Sequence, residues 1–110
     1  MSRKTVSVSV SAKMDDLLAA LAARYGSTKS GILNLILQRT LSADDGLKKL
    51  MSVELKQKDE KVIKRSYRIN EELLVALKVY DGFSLALILE KAVAPLLDMD
   101  EPERQHFLFP

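Results

Sequence analysis

The side chains in this 110-residue chain that could do chemistry are hydroxyls and cations set at regular spacing. Thr5, Ser7 and Ser9 occupy alternate positions, with Val6, Val8 and Val10 between them. Lys64, Ser66 and Arg68 repeat that alternation, beside Lys61 and Arg65, and no acid falls between Lys61 and Ile69. Small hydroxyls donate and accept hydrogen bonds, and unopposed cations attract anions, so the chemistry on offer is recognition, not bond making. Catalytic readings find little support elsewhere. His106 stands alone in an acidic tail, and Asp44–Asp45 and Glu71–Glu72 sit where helix ends favour acids. There is no nucleophile–base pair, no metal-ligand spacing and no glycine-rich phosphate loop. An enzyme, a cofactor and a metal are therefore not expected. The absence of cysteine removes disulfides and thiolate sites as well.

The elements that must position these residues read clearly at the N-terminus. Strict alternation from Thr5 to Ser11, with valine at each apolar position, predicts a strand with the hydroxyls on one face. Ser11 is an N-cap candidate, followed by Asp15 and Asp16 near the positive end of the helix dipole. Met14, Leu17, Leu18, Leu21, Ala22 and Tyr25 then recur at helical spacing, and Gly26 supplies a stop. Thr28 caps a second, more apolar helix carrying Ile32, Leu33, Leu35, Ile36 and Leu37, which should reach about Leu41. The order strand, helix, glycine turn, helix thus spans residues 1–42.

From Lys61 the order repeats on a weaker signal. Lys64–Ile69 predicts a shorter strand, Asn70 a cap, and Leu73, Leu74, Leu77 and Tyr80 a helical stripe that Asp81–Gly82 ends. Ser84 caps a last helix with Leu85, Ile88, Leu89, Ala92, Val93 and Leu96, whose final turn Pro95 should kink or fray. Residues 43–60 read as a linker, with a short amphipathic helix over about 47–57, and Lys48, Lys49, Lys56, Lys58 and the adjoining Lys61 read as a solvated face. Residues 99–110 read as an irregular acidic tail ending in His106-Phe107-Leu108-Phe109, apolar enough to dock. The expected fold is α+β and mostly helical. Two modules of residues 1–42 and 61–98 each need a partner for an open strand and a half-buried core, and they form one domain.

Net charge is +2, but it is segregated: cations cluster around the second strand and acids crowd the tail after Leu97. No apolar run approaches a membrane span, and Met1-Ser2-Arg3-Lys4 leads straight into polar alternation, so a soluble, cytoplasmic protein is expected.

A two-stranded ribbon with hydroxyls and cations outward fits the major groove of B-DNA and can reach base edges. With the capped helices and the glycine turn, the chain resembles the ribbon-helix-helix family of Arc- and MetJ-type repressors, present twice over about three quarters of its length. The resemblance implies a two-stranded antiparallel ribbon whose outward residues read bases: Thr5, Ser7 and Ser9 from one strand, Lys64, Ser66 and Arg68 from the other. It also implies a phosphate clamp at the start of each second helix, matched by Thr28, Lys29 and Ser30 within Gly26-Ser27-Thr28-Lys29-Ser30, and by Ser84 alone in the second copy. Arg3 and Lys4 join the phosphate-contacting set. Arg65 falls on the inward face and is expected to snorkel from a frayed strand start toward phosphate.

The partner expected is double-stranded DNA, bound by a transcriptional repressor or by an accessory protein of plasmid conjugation or another mobile element, with self-association on DNA in view. Pairing within one chain would make the ribbon asymmetric and suit two unlike half-sites. The alternative reading is an antitoxin-type interaction protein whose tail, Asp98–Pro110, binds a partner protein.

Overall fold

The valine–serine alternation forms a strand, β1 (Arg3–Ser11), and the second alternation forms β2 (Val62–Asn70). The two pair antiparallel as a two-stranded sheet with Ser7 opposite Ser66 at its centre. The computed structural model of the chain describes residues 2–43, 61–78 and 83–110. β2 is not the shorter strand expected over Lys64–Ile69. Val62 and Ile63 extend it at one end by pairing with Ser11 and Val10, and Asn70 at the other by pairing with Arg3, so both strands have nine residues.

Local chemistry accounts for most helix ends. α1 (Ala12–Tyr25) starts where Ser11 Oγ accepts the Met14 N–H at 3.2 Å and stops at Gly26, whose φ of 63° is the left-handed conformation glycine adopts without strain. α2 (Lys29–Ser42) starts where Thr28 Oγ1 accepts the Gly31 N–H at 3.0 Å. α3 (Glu71–Leu77) follows β2 directly. Asn70 holds its cap position, but its side chain makes no cap hydrogen bond; Oδ1 accepts instead from Arg3 Nε at 3.1 Å. α4 (Leu85–Leu97) is capped by Ser84 Oγ, which accepts the Leu87 N–H at 3.1 Å. The helix runs through Pro95 to Leu97. The Asp98 and Met99 N–H groups then bond three residues back, to Pro95 and Leu96, a tightened last turn.

The tail is not irregular. α5 (Glu101–Leu108) carries a capping box: Asp100 accepts the Glu103 N–H at 3.0 Å, and Glu103 accepts the Asp100 N–H at 3.2 Å. Pro102 sits in the first turn, where its missing donor costs nothing. The expected helix at 47–57 with its lysines, the acids Asp44 and Asp45, and the expected stop at Asp81–Gly82 with Tyr80 before it lie outside the described residues.

The order strand, helix, helix therefore occurs twice, and the halves cross over each other. α2 packs on β2, α4 packs on β1, and α2 and α4 pack together beneath the sheet. Val8, Val10, Tyr67 and Ile69 point into the core they share with Met14, Leu18, Leu33, Ile36, Leu89 and Val93. One polar side chain on each second helix fastens it to a strand end. Asn34 donates to the carbonyls of Ser30 and Arg68 and accepts the Asn70 N–H, each at 2.8 Å. Glu90 accepts from both the N–H and the hydroxyl of Ser11. At the edge of this core α5 lies on α2, with Leu108 fully buried and its carbonyl accepting from Arg39 Nε at 3.2 Å. Arg24–Glu101 at 3.0 Å and an edge-on Tyr25–Phe109 contact at 5.0 Å tie the same segment to the end of α1. Among the described residues no helix is long and apolar enough to cross a membrane.

Candidate nucleic-acid interface

Because side chains alternate across a strand, the antiparallel register fixes which residues share a face. Thr5 pairs with Arg68, Ser7 with Ser66, and Ser9 with Lys64. All six are exposed, whereas their neighbours Val8, Val10, Tyr67 and Ile69 are buried. The structure thus brings the six sequence-derived residues together in three cross-strand rows on one open surface. Ser7 Oγ and Ser66 Oγ lie 3.2 Å apart at its centre, close enough to share a hydrogen bond. Arg3, exposed at one end, extends the row and donates to Asn70. Arg68 and Lys64 supply a cation on either side of the central serines, both from β2.

The residues expected at the second-helix N-termini are distributed less evenly. Thr28, Lys29 and Ser30 gather at the start of α2, beside β2, where Ser30 Oγ accepts the Arg68 N–H at 2.9 Å. The first turn of a helix leaves N–H groups without helical partners and carries the positive end of its dipole, so this corner suits an anion. Ser84 occupies the same place on α4, beside β1. No lysine follows it, but exposed Lys4 and Lys78 line a hollow of about 480 Å³ with Phe83 and Leu85.

Sequence reasoning missed what holds Lys29 and Arg65. Asp15 is buried and receives four contacts: Lys29 Nζ at 3.1 and 3.2 Å, the Tyr67 hydroxyl at 2.9 Å and Arg65 Nε at 3.3 Å. Arg65 therefore does not sit at a frayed strand start. It lies mid-strand opposite Val8, on the inward side of the register, anchored to Asp15 and to the Lys64 carbonyl. Burial alone would push the Asp15 carboxyl pKa up. Hydrogen bonds from Tyr67 and Lys29, the Lys29 charge and a further bond from Arg65 outweigh that and hold it below its ordinary value. Burial first, and the Asp15 carboxylate second, raise Tyr67 well above the usual phenol range. The signal for this cluster was weak but present. Position 15 falls three and seven residues before Leu18 and Ala22, on the apolar stripe of α1, where an acid must find partners.

Comparison of the chain with protein-family models, with curated proteins and with solved structures finds no match. Among the described residues no group of histidine, cysteine and carboxylate side chains could hold a metal ion.

Proposed function

We propose that the chain binds double-stranded DNA sequence-specifically, with its two halves acting as tandem ribbon-helix-helix motifs that complete one ribbon within a single polypeptide. The observation that carries this reading is the row of exposed pairs Thr5–Arg68, Ser7–Ser66 and Ser9–Lys64 on the open face of the sheet. Two strands lie about 4.8 Å apart, and a ribbon of that width enters a major groove about 12 Å across. Hydroxyls read either purine or pyrimidine edges, and Arg68 is the side chain suited to a bidentate contact with guanine. The starts of α2 and α4 flank the ribbon on its two long edges and would meet phosphates there, with Arg3 and Lys4 assisting. The biological role that fits is that of a transcriptional repressor or an accessory DNA-binding protein of a plasmid or other mobile element.

The antitoxin-type alternative draws less support. The tail that would hold a partner protein is spent on its own chain, with Leu108 buried and Phe107 half-buried against the core. Selection from a random duplex library at two salt concentrations tests the proposal. A short motif with two unlike halves is expected, because the two strands present different side chains. Binding without any salt dependence, or no binding, would overturn it. On the selected site Arg68→Ala is expected to cost about 1–3 kcal/mol and to relax preference at one base pair. Equal weakening on every sequence would remove its base-reading role.

A further inference from the structure

The buried carboxylate at the edge of the ribbon has no counterpart in the other half. Asp15 is the fourth residue of α1, Lys29 the first of α2, Arg65 the fourth of β2 and Tyr67 the sixth. The same positions of α3, α4 and β1 hold Leu74, Leu85, Val6 and Val8. One flank of the ribbon therefore carries an ionic cluster where the other carries aliphatic side chains. Asp15 is 7% exposed, whereas Lys29 and Arg65 are 39% and 44% exposed. The acid is out of reach of solvent while both cations reach the surface beside the α2 N-terminus.

We infer that Asp15 is an internal counter-ion that limits how strongly this flank holds the DNA backbone, cancelling one of the two charges that Lys29 and Arg65 bring to it. The inference rests on the DNA reading above. A phosphate arriving at this corner competes with Asp15 for groups already hydrogen-bonded to it, so the pair of cations counts as one. The sequence-independent grip stays weak enough for the outward ribbon residues to decide where the protein rests, and the same contacts stop the two cations from repelling each other in the empty protein.

The measurement is the dependence of affinity for a fixed non-specific duplex on salt concentration. Asp15→Asn keeps the side-chain shape and an acceptor for Tyr67. It should steepen the log–log slope by about 0.9 and raise affinity up to about tenfold near 0.1 M salt, as expected for one added phosphate contact. Asp15→Asn/Lys29→Gln removes the pair together, an exchange that buried ion pairs often tolerate, and should return the slope to the wild-type value. Tyr67→Phe should leave the slope unchanged. If Asp15 serves structure alone, Asp15→Asn leaves the slope as it was and the double variant is shallower than wild type by about 0.9. The double variant decides the matter even if the single one does not fold. Wild-type protein that shows no salt-dependent binding would overturn the DNA reading itself, an outcome distinct from a slope that fails to move.

Discussion

A carboxylate taken out of water is stable only when its lost hydration is replaced, and Asp15 replaces it with an ammonium, a guanidinium and a phenol. Its pKa is lowered on folding, so its ionised form adds stability that is present above the ordinary carboxylate value of about 4 and disappears as the pH falls through the folded value. Tyr67 works in the opposite sense. Its raised pKa means that the neutral phenol adds stability present below about pH 10 and lost as the pH climbs further. Urea midpoints should show both effects. The gap between wild type and Asp15→Asn should stay nearly constant from about pH 5 to 9 and close below about pH 4, and Tyr67→Phe should lose less than wild type above pH 10. A gap unchanged by acid would mean that the ionised form of Asp15 contributes nothing. The outward hydroxyls were legible from alternation alone. The cluster was not, because its members come from α1, α2 and β2 and meet only after the halves cross.

The elements of this chain are begun by small polar residues and fastened by a few larger ones. Ser11, Thr28 and Ser84 could be read as caps because capping is local chemistry, and Gly26 because its backbone conformation is nearly its own preserve. Asn70 holds the N-cap position its residue type suggested, but its side chain is recruited across the sheet by Arg3 in place of a cap hydrogen bond. The capping box Asp100–Glu103 was equally local, yet the run of acids around it read as an irregular tail. Asn34 and Glu90 stand out in retrospect as polar residues within apolar helices, and their work is to fasten α2 and α4 to the strand ends. Asn34→Ala would strand the Asn70 N–H and the Arg68 carbonyl, at an expected cost on the order of 2–3 kcal/mol in urea unfolding, with faster hydrogen exchange at the Asn70 amide. A loss under 0.5 kcal/mol would show that water replaces those bonds.

For the whole molecule, α5 is part of what keeps α2 covered. Leu108 is fully buried, so truncation of the last residues does more than remove a tail. Leu108→Ala is expected to cost about 2–4 kcal/mol of unfolding free energy while leaving DNA affinity unchanged at temperatures where the variant stays folded. A loss of affinity in the folded variant would give α5 a part in binding. The ribbon itself is completed between residues far apart in one chain, from Arg3 with Asn70 to Ser11 with Val62. A ribbon built from two copies of a shorter chain would carry every substitution twice, once on each strand, and could explore only symmetric changes. Here each outward position is written once in the gene. A single nucleotide change can alter Thr5 without touching Lys64, or Arg68 without touching Ser9, so the surface can drift one contact at a time.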